Sequence, residues 1–160
     1  MAAYSFVTIW RVEAPIDRVF DAIRDSKAWP SWWPTVLKVE DIAEGDERGI
    51  GLVRRYTFKG KLPYTLTFDL EVDRVEEPTS LGGVASGELA GTGVWTLTAE
   101  SPSTTTVRYD WNVRTTRWWM NLLAPLAGGI FRDNHDFVMS DGRVALGRLL
   151  GVEITGIRAT

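Results

Sequence analysis

Cysteine is absent from the 160 residues. That excludes a disulfide framework, a thiolate metal cluster and a thiol nucleophile. Histidine occurs once, as His135, so a metal held by several imidazoles is excluded as well. Charge of one sign is also missing: the net charge is -3 with a pI near 5.2, which gives no electrostatic footprint for nucleic acid. Long hydrophobic runs are lacking too. The longest, from Trp118 to Phe131, carries Asn121, Pro125 and two glycines. It falls short of the roughly 20 residues a spanning helix needs, so no stable membrane insertion is expected. The first residues, MAAYSFVTIWRVE, have neither the basic end nor the apolar run of a signal peptide, and the expected location is the cytoplasm. No repeat, low-complexity tract or linker interrupts the chain. The expectation is one domain over residues 1–150 and a short, fraying tail over 151–160.

Aromatic residues are plentiful. Eight tryptophans are more than a surface can carry cheaply at roughly 200 Å² each, so most of them line something. Tyr4 to Glu13 reads as a strand, and after Ala14-Pro15 the dry face Ile16, Val19, Phe20 and Ile23 marks a short helix. Pro30 and Pro34 break Trp29-Pro30-Ser31-Trp32-Trp33-Pro34 into a helical turn and a corner. This corner is either a hydrophobic plug at one end of the core or the rim of a binding site, with Trp33 the rim residue. From Val36 to Thr115 the period is mostly two. Tyr64, Leu66, Phe68, Leu70 and Val72 alternate with polar residues, as an antiparallel strand with one wet face does. The glycine-rich segment after Pro78 predicts a hairpin turning near Ala90-Gly91. Its spacing matches no phosphate-cradling loop.

Ile130 to Leu150 is the longest periodic stretch. Phe131, His135, Val138, Gly142, Ala145 and Leu149 recur at steps of three and four, which predicts a helix roughly 30 Å long. Gly128-Gly129 is expected to separate it from the apolar stretch Trp118 to Leu126. That stretch reads as packing, a lid, or a patch for a partner or membrane.

The order is one strand, two short helices, a run of strands and a long helix. With it, Ala14-Pro15-Ile16-Asp17-Arg18-Val19-Phe20, the tryptophan corner, the Gly87…Gly91-Thr92-Gly93-Val94-Trp95 hairpin and Asn134-His135-Asp136…Met139…Gly142 resemble the helix-grip fold. The resemblance is to the START and birch-pollen-allergen-like superfamily, in its polyketide cyclase/dehydrase and lipid-transport branch. It implies an α+β fold: a curved antiparallel sheet of about seven strands wrapped around a long C-terminal helix, with an apolar cavity between them. For function it is weak, because this superfamily hosts binders, carriers and enzymes alike.

On the residues alone, the inward face is either a filled core or a cavity with a few polar handles. The resemblance favours the cavity. The candidate ligand-binding residues are Trp33, Arg54, Tyr56, Phe58, Tyr64, Phe68, Trp95, Tyr109, Trp111, Phe131, His135 and Val138. No catalytic residue is assigned, and His135 and Arg54 are the candidates. His135 on the dry helix face is either a neutral, hydrogen-bonded core residue or a handle or general acid/base. Arg54 either pairs with a ligand oxygen or snorkels to water from a strand end. Glu88 receives no role. No metal or other cofactor is expected, and the expected state is a monomer or weak homodimer. The expected function is binding of an apolar, aromatic or polycyclic, polyketide- or lipid-like molecule. The alternatives are a cyclase/dehydratase using the same cavity and an interaction module docking through 118–126.

Overall fold

The computed structural model describes residues 3–157, and side chains for all of these but 123–128. The chain runs through β1 (Ala3–Val12), α1 (Ile16–Arg24), a 3-10 turn (Ser26–Ser31), β2 (Val36–Ala43) and β3 (Val53–Phe58). It continues through β4 (Leu66–Glu76), β5 (Ser80–Gly87), β6 (Leu89–Ser101), β7 (Thr104–Thr115), α2 (Trp118–Leu150) and β8 (Ile154–Ile157). The strands form one antiparallel sheet of eight in the order β2-β3-β4-β5-β6-β7-β1-β8. This is the expected α+β architecture with one more strand than expected.

The additional strand comes from the tail. Instead of fraying, Ile154–Ile157 pairs with Ile9–Val12 of β1. Only Ile154 of this strand is buried, so its hydropathy pattern carries no signal and β1 supplies the order. Gly151, at φ 69°, caps α2 and turns the chain toward β8, a left-handed position suited to glycine. Arg143 Nη1 donates to the Ile154 carbonyl at 2.9 Å. Residues 158–160 of the expected tail lie outside those described.

Three further expectations are corrected. The helix does not stop at Gly128-Gly129 but runs 33 residues from Trp118. Glycine weakens a helix by about 1 kcal/mol without forbidding it. The β5–β6 hairpin turns at Glu88, so Ala85 pairs with Gly91 and Gly83 with Gly93. Glu88 fixes that turn: Oε1 accepts from the Thr67 amide at 2.8 Å, and Oε2 lies 3.4 Å from Arg117 Nε. On α2, Leu149 is exposed at 47% whereas Leu146 is buried at 1%. The dry stripe is two residues wide, adding Asn134, Met139 and Leu146 to Phe131, His135, Val138, Gly142 and Ala145. It lies over the sheet's inner face, where Phe131 stacks on Tyr4 at 4.4 Å and His135 on Phe6 at 4.2 Å.

A bulge in β4 between Val72 and Arg74 reverses the strand's phase. Leu66 and Phe68 are buried before it, and Val75 rather than Arg74 is buried after it.

Candidate functional site

The space between sheet and helix is neither filled nor one open hall. Among the described residues, two cavities of about 60 and 70 Å³ lie on the inner side of the sheet, the first against α1 and the 3-10 turn and only the second against α2. Three rings, Trp29, Trp95 and Tyr109, line both and form the layer between them. Trp95 stacks on Tyr109 with centroids 4.0 Å apart, and Trp29 meets Trp95 edge-on at 6.5 Å. An apolar cavity of about 150 Å³ is known to take up benzene. Each chamber has less than half that volume.

The first cavity is bounded by α1, the β2–β3 connection and strands β3 to β7. Of the expected site residues, Arg54, Tyr56, Trp95 and Tyr109 line it. The second lies against α2, and Trp33, Phe58, Phe68, Trp95, Tyr109, Trp111, Phe131, His135 and Val138 line it. Tyr64 lines neither. β4 begins only at Leu66, and the Tyr64 ring instead packs edge-on against Trp119 at 4.7 Å. Sequence reasoning missed Trp29, one of the three rings common to both cavities: it lies in a proline-interrupted turn where no periodicity assigns an inward side. Phe6, Leu66 and Asn134 were missed as lining residues as well.

Trp33 is a wall rather than an open rim. It is buried, and its indole nitrogen donates to the Val138 carbonyl at 3.2 Å. Gly142 makes the seat. A Cβ built there would lie 2.5 Å from the Trp33 ring, closer than side-chain atoms pack. Asn134 ties the β3–β4 loop to the helix, its Oδ1 accepting from the amides of Lys61 at 2.7 Å and Leu62 at 3.3 Å.

The polar groups differ in how far they are already engaged. Arg54 faces its register partner on β2, Asp41, whose Oδ1 accepts from Nε at 3.0 Å. Its Nη1 donates to Ser26 Oγ at 3.0 Å, and Ser26 and Tyr56 share a hydrogen bond of 2.7 Å. Hydrogen bonds from Arg54, then from Lys27, hold the Asp41 carboxyl below the usual range. Arg54 is therefore paired within the chain, by Asp41 and Ser26. Burial raises the Tyr56 hydroxyl pKa, which the Ser26 bond only partly offsets. Tyr109 is raised too, by burial first and by Tyr56 second. Its hydroxyl takes no hydrogen-bond partner among the described residues. His135 is pushed down to about 4, by burial first and by Arg132 second. Its Nε2 sits a long 3.5 Å from Thr8 Oγ1.

At neutral pH the site thus presents uncharged aromatic walls, a neutral imidazole, one available phenolic hydroxyl and, around the first cavity, Arg24, Arg48 and Arg54, of which Arg54 is engaged by Asp41 and Ser26. This suits recognition of an apolar body with one or two polar atoms. It suits proton transfer by His135 poorly, because an effective general base has a pKa near the working pH.

Residues 5–138 match the family described as polyketide cyclase / dehydrase and lipid transport. Among solved structures, the chain is similar to a START superfamily protein from Mycobacterium smegmatis, with TM-score 0.65 and 15% identity over 89% of this chain and 96% of that one. It is similar also to an aromatase/cyclase from Streptomyces sp. R1128, with TM-score 0.58 and 16% identity over 89% and 95%. Norcoclaurine synthase from Thalictrum gives TM-score 0.61 and 15% identity over 92% and 94%. At these identities the likeness establishes the fold. No curated protein matches the chain in sequence.

Proposed function

The chain belongs to the polyketide cyclase/dehydrase and lipid transport family, and from that premise we propose that it binds a hydrophobic, aromatic or polycyclic small molecule between its sheet and α2. The observation that carries this reading is the ring layer of Trp29, Trp95 and Tyr109, with space on both sides of it. Parting these rings joins two apolar chambers into one. The unpartnered Tyr109 hydroxyl then stands in the middle of it, as donor or acceptor to a single polar atom of the guest. Burial of the guest's apolar surface, at about 25 cal/mol per Å², provides most of the affinity.

Titration with 2-naphthol tests this. Quenching of tryptophan fluorescence is expected to saturate, and Tyr109→Phe is expected to weaken binding about fivefold, the worth of one neutral hydrogen bond of about 1 kcal/mol. Failure of wild type to bind, together with native mass spectra of fresh protein that show no retained small molecule, would count against the reading.

A second reading is favoured by the family's description and by the aromatase/cyclases of the same fold. In it the cavity folds a polyketide chain for cyclisation. With His135 neutral and weakly basic, the protein's contribution would lie in positioning the reacting carbons. Cyclised product whose yield is insensitive to His135→Ala would support it, and the absence of turnover in the wild type would leave binding alone.

A further inference from the structure

The first cavity has a distinct chemistry at its outer end. Three guanidinium groups line it: Arg24 at the end of α1, Arg48 in the β2–β3 connection and Arg54 on β3. Among the described residues no carboxylate lines it. Acids pair with two of these cations, Asp41 on Nε of Arg54 at 3.0 Å and Glu77 on Nη1 of Arg24 at 2.9 Å. Arg48 has no ion pair among the described residues. Backbone oxygen alone positions it, its Nη2 donating to the Val75 carbonyl at 2.6 Å. Arg24 Nη2 in turn donates to the Arg48 carbonyl at 3.4 Å, so the Arg24 side chain is braced against the Arg48 backbone.

The lining is otherwise largely apolar, with Ile23, Leu70, Val72 and Leu81 in it. A greasy chamber whose entrance carries more guanidinium than carboxylate is complementary to an amphiphile. A neutral hydrocarbon has no use for those donors.

We propose that this entrance anchors a compact oxyanion, a carboxylate or a phosphate, carried by the apolar guest. The proposal rests on the reading that the interior takes such a guest, and it narrows the guest to an acidic one. Guanidinium forks match both oxyanions in geometry. Arg48 is exposed and Arg24 half-buried, so the attraction is partly screened by water and weakens with salt.

Calorimetric titration of the intact chain with 2-naphthoate, 2-naphthyl phosphate and 2-naphthamide tests it, since the three share one apolar body. At low salt and pH 7, the better oxyanion is expected to bind at least about tenfold tighter than the amide, a difference of about 1.4 kcal/mol. The tighter of the two identifies the head group. In Arg48→Gln and in Arg24→Gln the oxyanion-over-amide preference, each measured against the same variant's amide affinity, is expected to fall below about threefold; 0.5 M NaCl is expected to do the same (~3 Å screening at 1 M, ~10 Å at 0.1 M). Equal binding of all three probes overturns the anchor and leaves interior binding standing. A preference untouched by both variants overturns its placement at this entrance, and no binding of any probe overturns the anchor and the binding reading together.

Discussion

Burial against Phe6 keeps the His135 imidazole neutral, with its pKa pushed down to about 4 and Arg132 adding to the effect. An unfolded chain takes up that proton near pH 6.5. Between these values the unfolded state binds more protons than the folded one, so stability is complete above about pH 6.5 and lost as pH falls toward 4. The loss is at most on the order of 3 kcal/mol. His135→Phe keeps a ring on Phe6 and removes the titration. Urea midpoints measured from pH 7 to 4.5 are expected to fall more steeply for wild type than for the variant, and parallel curves would contradict the assignment. The inward side of this residue was legible from helix spacing, and so was that of Arg54 from strand phase. Their partners were not. Asp41 meets Arg54 only through the β2–β3 register, and Thr8 approaches His135 across 127 residues of chain.

At the scale of elements, the long helix is defined by what it must receive. Trp33 reaches across to α2 and lies where a side chain at 142 would be. Alanine is about 1 kcal/mol better than glycine in a helix, so on propensity alone Gly142→Ala would stabilise the protein. Overpacking by one methyl against a buried ring costs about 1–3 kcal/mol, and here it also threatens the indole bond to the Val138 carbonyl. Net destabilisation is expected, read as a lower denaturation midpoint with a blue or red shift of tryptophan emission. A gain in stability would show that Trp33 moves aside freely. Long regular patterns predicted α1, the β4 and β7 faces and most of α2. The misses came where a local pattern was weak and a distant partner decided: the tail held by β1, and the Glu88 turn held by Thr67 and Arg117. Exposed Trp118 and Leu122 leave the expected docking stretch with an apolar outer side. Met120 is buried and Trp119 packs on Tyr64, while the side chains of 123–126 lie outside those described.

For the whole molecule, the order of elements and a handful of motifs were enough to place the fold, because a long amphipathic helix after a run of antiparallel strands has few ways to bury its stripe. The interior volume was not readable in the same way. Inward periodicity names the residues around a space but is identical whether their rings meet or stand apart. Here they do both: the rings of Trp29, Trp95 and Tyr109 close on one another and leave a small chamber on either side. The central claim is that this layer yields to an apolar guest. Its most direct test is a 2-naphthol titration followed by the indole N–H and tyrosine ring resonances in NMR. Saturable shifts at Trp29, Trp95 and Tyr109, with Trp118 unmoved, are the expected result. Shifts confined to Trp118 and its exposed neighbours, or no saturable shift at all, would contradict it.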